Sequence, residues 1–329
     1  MDIVATTPGL YPLPDFAREE LANLKGHQKG DLISGDESEE IQAVYREARE
    51  DLVAAQRDAG LDRVVEGQAR WDDMLAHPLA VHDSVSTEGI VRYFDNNNFY
   101  REPVVEGDLD FSGDVAAELE AAAELTDDLQ AVLPGPYTLA DLATDEYYGD
   151  EADFLAAIAD FLAGEAEAFP DVETLFLLEP SLATNAPGDG ADERASEAID
   201  AVASAVDTEV VVQPYWGALE EKVYAHVLDA DIDAVGFDLV TEHEQNLYNA
   251  QEYGTTDSVS LGLVDGQNTL VEDPETVRER VDWFVDNTHG DPETVYASSN
   301  TELFYLPVNK FHEKLEVLGA AADLEEVKA

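Results

Sequence analysis

Cysteine is absent from the 329 residues, which excludes disulfides and any thiolate metal ligand supplied by this chain. Lysine and arginine are scarce, 17 against 74 aspartates and glutamates, for a formal net charge of −57. Nucleic acid is held by clustered cations on phosphate. No basic cluster occurs anywhere along this chain, so no nucleic-acid partner is expected. No apolar run reaches the roughly 18 residues needed to span a bilayer, so no membrane partner is expected either. Met1-Asp2-Ile3-Val4 lacks the basic flank and apolar stretch of a secretory signal, and the chain reads as cytoplasmic. There is also no G-x-G-x-x-G turn after an early strand, which argues against a doubly wound dinucleotide fold.

What is present is a full apolar complement. Hydrophobic residues make up 45% of the chain, whereas acidic disordered chains are poor in them. A packed core must therefore coexist with strong self-repulsion. Molar salt makes that tolerable, because the Debye length falls to about 3 Å at 1 M. The composition predicts a halophilic protein.

Short β-branched runs alternate with longer amphipathic acidic segments, the pattern of βα units around a parallel sheet. The expected strands are 3–6, 61–66, 131–133, 174–178, 209–212, 234–237, 259–264 and 294–297. Helices are expected over 39–60, with Ile41, Val44, Ala48, Leu52 and Ala55 at helical spacing, and over 114–130. Eight strands in about 330 residues predict an α/β chain folded as a single (β/α)8 TIM barrel, 1–329. An irregular insertion, 77–113, interrupts it after the second strand.

In such barrels the chemistry gathers at the C-terminal ends of the strands. Those positions carry Gln68, Arg70, Asp73, Thr138, Glu179, Gln213, Tyr215, Asp238, Asp265, Asn268, Ser298, Ser299 and Asn300. A solvent-facing mouth accounts for part of this polarity. The carboxylates Glu179 and Asp238 are the acid–base candidates, since burial in a mouth raises a carboxylate pKa towards the useful range. None of the seven histidines sits at a strand end with a second at ligand spacing. His77 and His82 fall in the insertion, and His226, His243, His289 and His312 fall on or near helices. Surface or helix-packing roles are expected for them, and no metal site.

The wording of several segments resembles cobalamin-independent methionine synthase. Gly67-Gln68-Ala69-Arg70-Trp71-Asp72-Asp73-Met74 is similar to that family's G-E-x-x-R-x-D-M stretch. Tyr93-Phe94-Asp95-Asn96-Asn97-Asn98-Phe99-Tyr100 resembles W-F-D-T-N-Y-H-Y, and Leu133-Pro134-Gly135-Pro136-Tyr137-Thr138 resembles the G-P-x-T turn. Glu179-Pro180-Ser181-Leu182 and Gly236-Phe237-Asp238-Leu239-Val240 resemble D-E-P-A-L and G-L-D-L-V. Leu263 to Asn268 is close to V-V-D-G-R-N, and Ser298 to Val308 is close to S-S-C-S-L-L-H-V-P-V. Single matches are weak, but their order over nearly the whole chain is specific. The last two, with the Tyr93–Tyr100 segment, look like the amino-terminal barrel of that two-barrel enzyme.

That resemblance implies a methionine-synthase-type methyltransferase component in methionine biosynthesis. Its catalytic barrel holds zinc with a His-x-Cys pair, a Glu and a second Cys, which activate homocysteine as thiolate. Carried over, those positions become Gln213-Pro214-Tyr215, a position at or near Asp238, and one near Asn300. Gln and Asn are poor zinc ligands. The acidic residue of D-E-P-A-L is Leu178, and the Glu of G-E-x-x-R is Gln68. The expected cofactor state is therefore no metal on this chain alone. A methylated tetrahydropterin or folate-like donor would be the substrate, and zinc would sit in a separate cysteine-bearing catalytic barrel acting as partner. A polyglutamate tail needs cations, of which this chain has few; Arg18, Arg70, Arg92 and Arg101 are the candidates, with Lys25 and Lys29. Tyr93–Tyr100 and the apolar run Leu303–Val308 are candidate partner-packing surfaces. Two alternatives stay open: an autonomous zinc-independent methyltransferase or lyase using Glu179 and Asp238, and a non-enzymatic pterin-binding or scaffold barrel.

Overall fold

A computed structural model describes residues 1–22, 37–71, 75–92 and 99–324. Among the described residues eleven strands follow one another: β1 Asp2–Ala5, β2 Val64–Val65, β3 Val85–Arg92, β4 Phe99–Val105, β5 Leu129–Pro134, β6 Thr144–Asp145, β7 Thr174–Leu178, β8 Glu209–Gln213, β9 Ala234–Asp238, β10 Ser258–Val264 and β11 Thr294–Ser299. Eight of them form one parallel sheet in the order β1-β11-β10-β9-β8-β7-β5-β2. Apart from the reversal of direction in which it is read, this is sequence order, with the first strand beside the last. It is the order of a (β/α)8 barrel cut between β1 and β2. That seam is bridged by the Asp62 and Arg63 N–H groups on the Ala5 carbonyl, at 3.0 and 3.2 Å, and by the Tyr11 N–H on the Gly67 carbonyl, at 3.2 Å.

All eight expected barrel strands are present, displaced by no more than a few residues at their ends. Side-chain alternation explains their apolar wording. Leu175 and Leu177, Val210 and Val212, Val235 and Phe237, and Val259 and Leu261 pack outward beneath the helices. Ala5, Val65, Val132, Phe176, Val211, Ala234 and Tyr296 fill the interior. Both faces of a parallel sheet are thus buried. Towards the mouth the interior becomes polar: the Thr6 hydroxyl donates to Gln130 at 2.6 Å, and the Ser260 hydroxyl donates to Gln213 at 2.6 Å.

The helices are capped as their sequences suggest. Glu39–Asp58 starts from Ser38, whose hydroxyl accepts the Ile41 N–H, with Glu39 and Glu40 in the first turn. Asp150 accepts from Ala152 and Asp153 at the start of Glu151–Glu167. The expected helix over 114–130 is shorter, ending at Ala123. Thr126 Oγ1 takes the Asp128 N–H and closes a turn. Leu129 and Gln130 then join the sheet between β2 and β7, so tertiary pairing overrides the helical spacing.

The insertion is regular, contrary to the expected irregular excursion. After the short helix His77–Ala80, β3 and β4 pair antiparallel, and β4 pairs in parallel with β6. His77 and His82 are buried there rather than at the surface. Residues 93–98, which carry most of the Tyr93–Tyr100 segment, lie outside the described residues, as do Lys25, Lys29 and Asp73. Leu303 and Leu306 belong to the interior cluster with the partly buried Phe304 and Tyr305 packed against it, so the first part of that apolar run packs on the core, while Pro307 is exposed. No helix among the described residues is long and apolar enough to cross a membrane.

Candidate active site

The strand ends bring together most, but not all, of the expected residues. Asp238, at the end of β9, is buried. Its Oδ2 accepts the Trp216 N–H at 2.9 Å, and its Oδ1 accepts the Val240 and Thr241 N–H groups at 3.0 and 2.9 Å. Asn300, just beyond β11, donates its side-chain amide to both oxygens at 3.2 and 3.3 Å, while its own Oδ1 accepts the Gly266 N–H at 3.0 Å. Burial raises the Asp238 pKa against these donors.

Beside this pair, Gln213 closes β8 with its amide on Ser260 and on the Pro214 carbonyl. Gly236 is required opposite it, because a Cβ there would lie 2.5 Å from the Gln213 Oε1. The buried Tyr215 hydroxyl donates to Glu302, and its ring meets Trp216 edge-on at 4.8 Å. Glu302 is a buried acid that reading strand ends one residue at a time passes over. Trp216 sits at φ 62, and Leu10 and Gln68 at 47 and 49. These strained non-glycine residues all follow barrel strands, the usual place for conformational strain at a working site.

Glu179, at the end of β7, is fully buried and accepts the Tyr137 and Thr138 N–H groups at 2.9 and 2.7 Å. Those donors favour the ionised form, but burial dominates and pushes the carboxyl up to about 7. Thr138 Oγ1 in turn takes the Ser181 N–H at 3.1 Å. Gly135 makes room for the carboxylate, since a Cβ there would stand 2.2 Å from the Glu179 Cδ. Its φ of −74 and ψ of 159 suit any residue, so the cost of Gly135→Ala is steric alone. We expect about 3 kcal/mol or more of lost stability, read as a lowered denaturation midpoint at fixed salt.

The remaining candidates make no hydrogen bond to Asp238 or Glu179 among the described residues. Gln68 braces the β1–β2 seam, its Oε1 accepting the Leu10 N–H at 2.6 Å. Arg70 is clamped by Glu37 at 2.8 Å and by both Asp114 oxygens at 2.7 and 2.9 Å. Asp265 and Asn268 close their own turn through the Gln267 and Leu270 N–H groups. Ser299 bonds the Thr301 carbonyl. The hydroxyls of Ser181 and Ser298 are buried with no hydrogen-bond partner among the described residues. Of the cations expected as candidates for a tail, Arg18 pairs with Asp15 and Arg101 lies on β4.

Sequence reading also missed the buried ion pairs beside Arg70. Arg49 joins Glu66 and Glu118, and His77 meets Asp114 at 3.2 Å while stacking on Trp71. They flank a cleft of about 570 Å³ between the helices Glu39–Asp58 and Asp114–Ala123. Burial holds His77 below the usual histidine pKa. Burial and the neighbouring Glu66 raise Glu118 to about 7.

The sequence matches, over residues 81–288, the family described as "Cobalamin-independent synthase, N-terminal domain". The chain belongs to this family. It is 27% identical to 5-methyltetrahydropteroyltriglutamate–homocysteine methyltransferase of Salinibacter ruber, across 93% of the chain but only 44% of that protein. It is 24% identical to methionine synthase of Saccharolobus solfataricus, across 98% of the chain and 95% of that protein. Its fold superposes on a B12-independent methionine synthase from Shewanella sp. W3-18-1, solved with selenomethionine, with a TM-score of 0.77, 18% identity, and 97% and 96% of the two chains covered.

Zinc does not fit the residues at this mouth. The positions that the sequence resemblance sets against that family's zinc ligands, Gln213, Tyr215, Asp238 and Asn300, carry one carboxylate, two amides and a phenol. The carboxylate and the Asn300 amide are engaged with each other and with backbone N–H groups, and the Gln213 amide with the Ser260 hydroxyl and the Pro214 carbonyl. Among the described residues no group of three or more His, Asp and Glu is placed to hold a metal ion.

Proposed function

We propose that this chain is the zinc-less, amino-terminal-like barrel of a methionine-synthase-type methyltransferase. In this reading a separate cysteine-bearing chain carries the zinc, and the assembled enzyme moves a methyl group from a methylated pterin to homocysteine. The observation that carries it is the Asn300–Asp238 pair. Where the family's metal ligands would converge, a neutral amide is hydrogen-bonded to the one acid. With no cysteine in the chain, a homocysteine thiolate has nothing here to activate it. The mouth is still suited to binding: Ser181 and Ser298 keep buried hydroxyls without partners, and such groups commonly await a ligand or water.

The partner rests on this ligand argument alone. A second reading is favoured by length, because the Saccharolobus methionine synthase is matched over 95% of its extent by this single chain. In that reading the chain is self-contained, and the buried carboxyl of Glu179 moves the proton.

One experiment separates them. The chain is purified in about 2–3 M KCl, chosen for its short screening length, and run by size exclusion with light scattering, alone and mixed with the source organism's cysteine-bearing barrel. Methyl transfer to homocysteine is assayed on the same fractions. A complex whose activity needs both chains supports the component reading. Activity from this chain alone, lost in Glu179→Gln, supports the second. Full activity from the cysteine-bearing chain by itself sinks the first.

A further inference from the structure

On the shoulder of the barrel, just beyond the C-terminal end of β9, a concavity of about 430 Å³ is lined by Leu239, Val240, His243, Arg280 and Trp283. It lies between the helices His243–Tyr253 and Pro274–Asn287. Its volume is within the range of small-molecule sites. Leu239 and Val240 supply an apolar floor. Trp283, 38% exposed, stands one helical turn from Arg280, and the His243 ring meets it edge-on at 5.9 Å.

Arg280 is the informative residue. One Nη1 hydrogen bond to the Leu263 carbonyl fixes its guanidinium. Among the described residues most of its five N–H donors have no partner, and none of their carboxylates lies within 4.0 Å of it. In a chain with 74 acidic residues, this half-buried arginine has no counterion among the described residues and lies beside an exposed tryptophan.

We propose that this shoulder pocket binds a planar aromatic monocarboxylate, its ring on Trp283 and its carboxylate on the Arg280 fork. The fork matches a carboxylate in bidentate geometry, and a ring beside tryptophan gains stacking contact. A single negative charge suits a single guanidinium, whereas a dianion such as a phosphate ester would meet stronger repulsion from a chain of net charge −57. The site is independent of whether the chain takes part in methyl transfer.

The test uses the full chain, 2-naphthoate as probe, and calorimetry together with quenching of tryptophan fluorescence. Saturable one-site binding is expected. It should weaken at least about tenfold in Arg280→Gln, and by a similar factor when the neutral 2-naphthamide replaces the acid. Trp283→Phe should abolish the quenching. Val240→Phe, which fills the pocket from its apolar floor, should block binding even if Arg280→Gln proves unstable. Equal affinity for acid and amide would reduce the site to an apolar crevice and overturn the proposal. So would no saturable binding up to about 10 mM, or binding untouched by the variants at both Arg280 and Val240.

Discussion

Moved from about 2 M to about 0.1 M KCl, the chain is expected to unfold cooperatively at room temperature. Over that range the Debye length grows from about 2–3 Å to about 10 Å, so repulsion among surface carboxylates spreads from neighbours to whole helix faces. The structure shows why little compensates it internally. The buried cations Arg49, Arg70, Arg278 and Lys314 are all engaged with acids, on Glu66 and Glu118, Glu37 and Asp114, Asp282, and Glu272. The scarce positive charge thus neutralises carboxylates within or at the edge of the core, and much of the acidic surface has no counterion from the chain. A typical folding stability is only about 5–15 kcal/mol, which unscreened repulsion at a net charge of −57 is able to exceed.

Near-ultraviolet circular dichroism against KCl concentration measures this directly. A native spectrum at 0.1 M would refute the halophilic reading. Acidification should partly rescue the low-salt state. Glu179 and Glu118 are each raised from 4.5 to about 7 in the fold. Between those values the native state binds more protons than the unfolded chain, so stability declines as pH rises through that window. The chain should therefore tolerate lower salt at pH 5 than at pH 8.

The barrel was legible because a parallel strand buried on both faces reads as an apolar run. Leu175 to Leu178 and Val210 to Val212 could hardly be anything else. The β5 boundary was not, because Leu129 and Gln130 continue a helical spacing and only their partners in β2 and β7 make them strand. The mouth was legible as a set of positions but not as a network. Asn300 reaches Asp238 across 62 residues, and Arg70 reaches Asp114 across 44. No local pattern carries such distances. The pairing of Arg70, a candidate ligand-binding cation, with Glu37 and Asp114 was not legible for that reason. His77 was likewise assigned to surface or helix packing, because nothing near it in sequence announces Asp114 or the stacked Trp71.

Asn300→Asp is expected to be among the most destabilising isosteric changes available in this protein, by about 3–5 kcal/mol at pH 8. It replaces the amide that donates to both Asp238 oxygens, at 3.2 and 3.3 Å, with a second carboxylate at a buried position. Two carboxylates that close do not both ionise, and the pKa of one rises strongly. Asp238 is already raised by burial in the parent chain, and loss of its Asn300 donor pushes it further. The raised folded-state pKa means that the native variant holds a proton which the unfolded chain releases once pH passes the ordinary aspartate value of about 3.9. The penalty is therefore small at acid pH, grows as pH rises, and levels off above the folded pKa. Asn300→Ala supplies the contrast. It leaves Asp238 with the N–H groups of Trp216, Val240 and Thr241, and should cost about 1–2 kcal/mol with a much flatter pH dependence. Denaturant unfolding of the three proteins at pH 5 and pH 8, in constant molar salt, reads both differences. If Asn300→Asp matches the parent at pH 8, Asp238 and residue 300 do not form the tight pair on which the zinc-less reading of this mouth depends.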